Sequence, residues 1–222
     1  MITSSDNPKL KDLKRVVRRR DARFLAEGED LVAAADAAGW TPVLKLEAGV
    51  DVAGELLAPY SSLKQGSRVM AVYEERFAPQ PVGPVCLCLW GVKDPGNVGT
   101  VLRAAQAFGV ASVALGPETA DPFGVKAVRA SMGAVFEVPI ARVRSVQELP
   151  APAIALAARE GAPLRGPRTG TVVVGAERAG VPEEVLMACE ERAHIEIATE
   201  SLNAAMAAPV ALYEMTDRKS VV

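Results

Sequence analysis

KDPGNVGTVLRAAQAFG, residues 93–109, places a glycine-containing turn directly before a helical pattern. The apolar run PVCLCLWGV, residues 84–92, stands immediately in front of that turn. A short apolar strand that leads through a turn into a helix is the building unit of α/β proteins. We therefore predict an α/β fold that extends outward from this unit.

The helix after the turn is predicted to bury one side and expose the other. Its apolar stripe consists of Val98, Val101, Leu102, Ala105 and Phe108. Thr100, Arg103 and Gln106 lie on the opposite face, and Asn97 is suited to cap the helix. By periodicity alone, Arg103 is a solvent-facing side chain.

Further apolar runs follow along the chain at 111–115, 134–139, 153–158 and 171–175, separated by helical patterns. Short strands without strict polar alternation indicate a parallel sheet that is covered on both faces. The sequence from residue 85 to 222 therefore predicts a doubly wound domain.

The beginning of the chain is strongly basic. Between Lys9 and Arg23 stand eight Lys or Arg residues, against Asp12 and Asp21. Leu10, Leu13, Val16 and Val17 recur among them at helical spacing, which predicts an amphipathic helix with one cationic face. That face has two interpretations, an ordinary solvated surface or a surface that contacts phosphates.

The first 76 residues are predicted to form a small α/β unit. Its elements are expected to be a helix at 29–38, a strand at 42–46, a helix at 52–57 and a strand at 68–72. FAPQPVGP, residues 77–84, contains three prolines in eight residues and is the best linker in the chain. We place the domain boundary there, between residues 1–76 and 85–222.

Composition and missing motifs exclude several classes of protein. The formal net charge of −2 argues against a general nucleic-acid coat. Neither glycine-rich turn supplies the lysine of a P-loop or the spacing of a dinucleotide fingerprint, which disfavours a nucleoside triphosphatase and a Rossmann-type enzyme. His194 is the only histidine and is expected to be structural, and no metal site is predicted.

The cysteines and the apolar runs indicate the cellular compartment in which the protein is expected. Cys86 and Cys88 belong to one apolar run, so we expect core packing in a reducing environment rather than disulfides. No apolar run reaches membrane-spanning length, and the polar start does not resemble a signal peptide. A soluble, cytoplasmic protein is expected.

Three separated stretches carry a family resemblance. They are DPGNVGTVLRAAQAFG (94–109), VVVGAERAGVPEEV (172–185) and IEIATESLNAAMAAPVALYE (195–214). Their order and spacing resemble the three motifs of the SpoU/TrmH class of SPOUT RNA 2′-O-ribose methyltransferases, over most of residues 84–216. The segment from 4 to 32 is similar to the small RNA-binding domain, related to ribosomal protein L30e, that many ribosomal RNA members carry.

The resemblance implies a SPOUT-type parallel sheet with a C-terminal trefoil knot, preceded by a small L30e-like α/β domain. It implies S-adenosylmethionine as the cofactor, bound in the knot largely by main-chain groups. The implied cofactor-binding positions are Ala157, Gly175, Gly180, Ile195, Ile197 and Leu202. It also favours RNA contact by the basic arm, through Lys9, Lys11, Lys14, Arg15, Arg18, Arg19, Arg20 and Arg23.

The resemblance assigns catalysis to a second set of residues: Arg103, Asn97, Glu177, Ser201 and Asn203. A sulfonium needs little help to lose a methyl group, whereas a ribose 2′-hydroxyl is a poor nucleophile until its proton is removed. Arg103 would either accept that proton, with help from a substrate phosphate, or stabilise the developing alkoxide. Asn97, Ser201 and Asn203 would orient Arg103 and the ribose, and Glu177 would hold Arg103 or shape the knot.

The third stretch departs from the family pattern. Glu196 stands where members usually have proline, and the loop before Ser201 is about two residues short, which makes the cofactor contacts of Ile195 and Ile197 less secure. Pro209 interrupts a predicted helix that is apolar on nearly every face. Such a helix suits the homodimer interface of the family, across which active sites are completed.

The resemblance therefore predicts a homodimeric RNA ribose 2′-O-methyltransferase with ribosomal RNA as its substrate. The alternative is a catalytically inactive RNA-binding or ribosome-assembly factor of the same fold.

Overall fold

The computed structural model describes residues 1–19, 21–63, 66–198 and 202–216. Its first unit contains α1 (Pro8–Arg19), β1 (Arg23–Glu27), α2 (Glu29–Ala37), β2 (Leu44–Glu47) and β3 (Val69–Glu74). The strands form an antiparallel sheet in the order β1-β3-β2. The predicted amphipathic helix is confirmed as α1, because Leu10, Leu13 and Val16 are buried beneath it against that sheet.

The second unit is built on seven parallel strands. Its elements are β4 (Val85–Trp90), α3 (Pro95–Ala107), β5 (Ser112–Leu115), α4 (Val125–Ser131), α5 (Ala134–Glu137), β6 (Ile140–Arg142), β7 (Ala153–Leu156), β8 (Ala162–Pro163), β9 (Gly170–Gly175), α6 (Glu183–Ala188), β10 (Glu191–His194) and α7 (Ala204–Met215). The strand order is β6-β5-β4-β9-β7-β10-β8, and every pairing is parallel. The predicted α/β fold with a parallel sheet is confirmed.

Side chains of β4 alternate between two apolar clusters, one on each face of the sheet. Leu87 and Leu89 pack into the cluster that contains α3, α4, α5 and α7. Cys86 and Cys88 point to the opposite face, where Val185 of α6 lies. Both thiols are fully buried, as expected for core residues, and burial raises their pKa. The sheet is therefore covered on both faces.

The two units share one apolar cluster. Phe24 of β1 contacts Phe123 of the second unit with ring centroids 4.8 Å apart. Trp40 packs on Phe136 and donates its indole N–H to the Phe136 carbonyl at 2.8 Å in a buried setting. The three-stranded sheet and α2 therefore pack against α4 and α5 of the second unit through this shared cluster.

Two predicted elements are wrong. Residues 52–57 do not form an α-helix; one 3-10 turn, Gly54–Leu56, lies there, and a second, Ala58–Tyr60, follows it. Pro59, which has no N–H, would stop an α-helix from continuing through this region. Residues 134–139 do not form a strand. Their apolar side chains belong to the short helix α5, which follows the reversal at Met132 (φ 50°) and Gly133 (φ 99°), and the strand starts only at Ile140.

Four strands, β1, β6, β8 and β10, lie outside the predicted strands and escape prediction. Within the described residues, no helix combines the length and apolar character that crossing a bilayer requires.

Candidate active site

A cavity of about 330 Å³ opens where β7, β9 and β10 end. In parallel α/β sheets, ligands bind outside the carboxyl ends of the strands, because loops diverge there and leave a crevice. All six predicted cofactor-binding residues line this cavity: Ala157, Gly175, Gly180, Ile195, Ile197 and Leu202. The fold therefore brings together positions that lie up to 45 residues apart in the chain (157 to 202).

The glycines of the second stretch shape one wall of the cavity. The chain reverses after β9, with mutual backbone hydrogen bonds between Ala176 and Gly180 of 3.1 and 2.8 Å. A Cβ on Gly175 would lie 2.1 Å from the Gly180 carbonyl carbon, so no other residue fits there without opening the turn. Gly180 has a φ of +68°, in the left-handed region that favours glycine. The conformation of the turn therefore requires glycine at both positions, independently of any bound ligand.

Asn97 and Glu177 connect helix α3 to this wall. Asn97 lies in the first turn of α3, and its side-chain amide donates to Glu177 Oε1 at 2.5 Å. Glu177 also lines the cavity. Residues 80 positions apart thus meet, which joins the first stretch to the second.

Asp94, not Asn97, caps α3, so the predicted cap is wrong. Asp94 Oδ1 accepts from the Gly96 amide at 2.6 Å and from Lys126 Nζ at 2.8 Å. These contacts, that of Lys126 first, hold the pKa of the Asp94 carboxyl below its usual value. Asn97 lies too far inside the helix to cap it, and its side chain is free to reach Glu177.

Arg103 lies on the exposed face of α3, two turns after Asn97. With the residues that the structure describes, it makes no hydrogen bond or ion pair. Glu177 holds Asn97 rather than Arg103. The guanidinium is thus exposed on the described surface of α3.

The third stretch lines the cavity at several positions, among them Leu202. Asn203 is exposed and caps α7, accepting from the Ala205 amide at 2.7 Å through Oδ1. Helix α7 continues through Pro209 to Met215. Ser201 and its proposed role lie outside the described residues.

The predicted RNA-binding residues of α1 divide into paired and unpaired cations. Arg23 follows α1 and donates to Asp12 (2.9 and 3.1 Å) and Asp21 (2.9 and 2.7 Å). Its guanidinium holds the pKa of both carboxyls below the usual value. Arg15 pairs with the same two aspartates at 2.5 and 3.4 Å. Arg23 is only 17% exposed and ties α1 to β1.

The other cations of the arm are more open. Lys11 pairs with Asp6 at the surface. Lys9, Lys14 and Arg18 are exposed and form no ion pair within the described ranges. The backbone of Arg19 belongs to α1, and Arg20 lies outside the described residues.

Several residues of the site were not expected from the sequence. The remaining cavity wall includes Leu156, Val174, Leu186, Ala204 and Ala207. These are apolar residues at strand ends or in helices, and nothing in the sequence distinguishes them from core positions. Among the described residues, no cluster of three His, Cys, Asp or Glu side chains could hold a metal ion.

A seven-stranded parallel sheet with a cavity at its carboxyl edge, closed by a glycine turn that is joined to α3, defines an α/β protein with a ligand-binding crevice, and its fold matches solved SpoU methyltransferase structures. Residues 84–213 match the SpoU rRNA Methylase family, and the chain belongs to this family.

Relatives and solved structures agree with this assignment. The chain is 31% identical to the 23S rRNA (guanosine(2553)-2′-O)-methyltransferase RlmP of Bacillus subtilis, over 96% of this chain and 98% of that protein. It is 31% identical to the 23S rRNA (guanosine-2′-O-)-methyltransferase RlmB of Vibrio parahaemolyticus, over 59% of this chain and 58% of the other. The AdoMet-bound rRNA methyltransferase from Sinorhizobium meliloti superposes with a TM-score of 0.85 and 28% identity, covering 96% of this chain and 95% of that one.

Proposed function

We propose that this protein is an S-adenosylmethionine-dependent RNA ribose 2′-O-methyltransferase that acts on ribosomal RNA. The observation that carries the proposal is the hydrogen bond between Asn97 and Glu177, because it places the helix of Arg103 beside the cavity lined by the six cofactor positions. The full-length similarity to a ribosomal RNA 2′-O-methyltransferase supports the reaction and the substrate class.

The cavity fits a nucleoside cofactor. Its volume of about 330 Å³ is at the lower end of the range for small-molecule sites, and apolar side chains dominate its wall. Ile195, Ile197 and Leu202 offer surfaces for a planar base, and the turn from Gly175 to Gly180 offers backbone groups that need no side chain. S-adenosylmethionine bound here would supply a methyl group on a sulfonium.

The chain's own residues would handle the ribose. Arg103 carries the only permanent positive charge among the proposed catalytic groups, so it would stabilise the alkoxide as it forms. In the alternative role it would give a proton to a substrate phosphate and accept the proton of the 2′-hydroxyl. Asn97 would orient the ribose while Glu177 fixes the side-chain amide. Asn203 has one side-chain oxygen committed to its helix cap, which leaves its NH₂ group to donate.

A second copy of the chain would complete the site. Arg103 is exposed on α3, and α7 packs beside α3 with the Phe108 and Tyr213 rings 6.3 Å apart. Met206 (59% exposed) and Tyr213 (45%) leave apolar surface on α7. A homodimer through these helices would bury this surface and bring residues of the partner subunit beside Arg103.

The trefoil knot, the L30e relationship of residues 1–76, the boundary at 77–84 and the cytoplasmic location stay predictions of the same proposal. The choice of ribosomal over transfer RNA rests on relatives and on the basic α1.

Methyl transfer to defined RNA tests the function. Ribosomal RNA from cells that lack the gene should accept labelled methyl groups, and digestion should recover them in 2′-O-methyl nucleosides. A substrate with 2′-deoxyribose at the mapped position should accept none. Methylation that survives on the deoxy substrate would refute ribose chemistry. S-adenosylmethionine binding without any methyl transfer would instead favour the inactive assembly factor.

A further inference from the structure

Helix α4 presents two cations on the surface between the two units. Lys126 and Arg129 are three residues apart and both exposed, whereas Ala127, Val128 and Ser131 are buried on the other side. Helix α4 lies in the second unit, outside the three stretches that carry the family resemblance. The function proposed above gives no role to this exposed face of α4.

One end of this face lies beside the proposed catalytic residues. Helices α3 and α4 cross closely at Gly99, where a Cβ would lie only 2.3 Å from the Ala127 carbonyl oxygen. This approach brings the Lys126 side chain across the start of α3, with its Cε 3.1 Å from a Cβ placed on Gly96. Asn97 is the next residue. Lys126 also forms an ion pair with Asp94 at 2.8 Å, which leaves two of its three ammonium hydrogens for other acceptors.

Helix α4 also contacts the first unit, both at Val125 and at Arg129. Val125, the first residue of α4, packs against the apolar cluster under α1 that contains Leu10 and Leu13. Arg129 donates to Ser62 Oγ at 3.3 Å. Ser62 is itself held by its backbone and hydroxyl on the buried carboxylate of Glu27. Helix α4 therefore touches both the unit that carries the basic arm and the helix that carries Asn97.

We propose that Lys126 and Arg129 form a phosphate-binding face, along which the RNA backbone runs from the cations of α1 to the ribose at Asn97. The inference rests on the proposed function and deepens it. Lys14 and Arg18 on α1 supply charge at one end, and the target ribose lies at the other. An ammonium and a guanidinium on a rigid helix bind phosphates without reading bases, so this face sets the RNA's position rather than its sequence.

Substitution of both cations tests the face. The double variant Lys126→Gln/Arg129→Gln should bind substrate RNA more weakly. The slope of log affinity against log salt should fall by about 0.7 to 0.9 for each phosphate that the variant no longer neutralises. Affinity for S-adenosylmethionine should stay unchanged. Lys45→Gln is the matched control, because Lys45 is exposed on β2 while its neighbours Leu44 and Leu46 face the cluster under α1.

Charge-preserving exchanges separate phosphate binding from a structural role. Lys126→Arg and Arg129→Lys should retain the wild-type salt slope. A double variant whose RNA affinity and salt slope match those of Lys45→Gln overturns the inference, provided that the wild-type protein methylates RNA. Absence of RNA methylation by the wild type would instead count against the proposed function.

Footprinting of the wild-type protein gives a second test that needs no substitution. Bound RNA should protect Lys126 from an acetylating reagent, detected by mass spectrometry, and should leave Lys45 unprotected. Equal acetylation of Lys126 with and without RNA would contradict the assignment.

Discussion

At the scale of single residues, the catalytic role proposed for Arg103 is the most direct to test. Its side chain is exposed and has no ion-pair partner among the described residues, so its loss should disturb the fold little. Arg103→Ala should lower the rate of methyl transfer by roughly 10²–10⁴-fold, the usual range for a group that handles the proton or its charge. Calorimetry should find S-adenosylmethionine binding nearly unchanged. Gln106→Ala, one turn further along α3, is the control and should retain activity. Near-normal turnover of Arg103→Ala would remove this residue from the chemistry.

For Asn97 and Glu177 we expect coupled effects on activity, because their side chains are hydrogen-bonded to each other. Asn97→Ala and Glu177→Ala should each reduce kcat/KM, and the double variant should be little worse than the poorer single variant. The coupling free energy should be about 1–3 kcal/mol, as for directly hydrogen-bonded side chains. Thr100→Ala combined with Glu177→Ala should be additive, since Thr100 bonds only within α3 at Gly96. Additivity of the Asn97 pair would mean that the hydrogen bond has no part in catalysis.

At the scale of elements, the turn after β9 depends on a backbone contact rather than on a side chain. Gly175→Ala would place a methyl group 2.1 Å from the Gly180 carbonyl carbon, so the turn must open. We expect about 1–3 kcal/mol lower stability and at least tenfold weaker S-adenosylmethionine binding. Gly54→Ala is the control, because its nearest contact would be an ordinary 3.8 Å. Equal behaviour of the two variants in urea unfolding and calorimetry would contradict this account of the cavity wall.

Ion pairs of Arg23 with Asp12 and Asp21 connect helix α1 to β1. Because Arg23 lies 17% exposed and bonds two carboxylates, Arg23→Met should lower the free energy of unfolding by about 1–3 kcal/mol at pH 7. The pKa of Asp12 is lowered in the folded protein, from an ordinary 3.8. The stabilisation is therefore present above about pH 4 and is lost as the pH falls through the lowered value.

Urea unfolding between pH 7 and pH 2 checks both parts of the prediction. Wild type and Arg23→Met should differ in stability at pH 7 and converge in acid. Arg18→Met, an exposed cation of the same helix, should match the wild type throughout. A constant difference between wild type and Arg23→Met at every pH would show that packing, and not the ion pairs, is lost.

Sequence patterns predicted the elements that bury a regular face and missed those that do not. Strands β4, β5, β7 and β9 follow apolar runs and were found, whereas β10 has the sequence ERAH and escaped. It is a strand because its backbone pairs with β7 and β8 on both sides, a tertiary fact that no local pattern contains. Similarly, the apolar run at 134–139 begins with the short helix α5 instead of a strand, because the chain reverses direction at Gly133, immediately before it.

The proposed cofactor positions come from the resemblance, and the structure explains why periodicity could not bring them together. Gly175 and Ile195 are separated by α6 and β10, yet both line one cavity. Their common property is a place at the end of a strand, and strand order is set by long-range packing. Asp94 was overlooked as the cap of α3 because Asn97 is an equally good capping residue by type, and only geometry decides between them.

At the scale of the whole molecule, the two units depend on each other through their shared core. Phe24, Trp40 and Tyr73 of the first unit pack against Phe123 and Phe136 of the second, in tilted and edge-to-face ring contacts. Separating the units would expose this aromatic surface and leave the Trp40 indole N–H without its acceptor. Since α4 contacts both units, RNA bound to α1 as proposed would be held at a fixed distance from Asn97. Rigid coupling of binding and chemistry is what accurate placement of one ribose requires.

The shared core predicts that the units unfold together, and the two tryptophans allow the test. Trp40 lies in the aromatic cluster between the units, whereas Trp90 lies in the cluster on the opposite face of the large sheet. In a Trp90→Phe variant, fluorescence reports Trp40 alone, and its urea midpoint should coincide with the midpoint measured by circular dichroism of the whole chain. An earlier fluorescence transition would mean that residues 1–76 detach first. In that case α1 and α4 could not hold one RNA at a fixed distance from Asn97, and the positioning role of the shared core would fall with them.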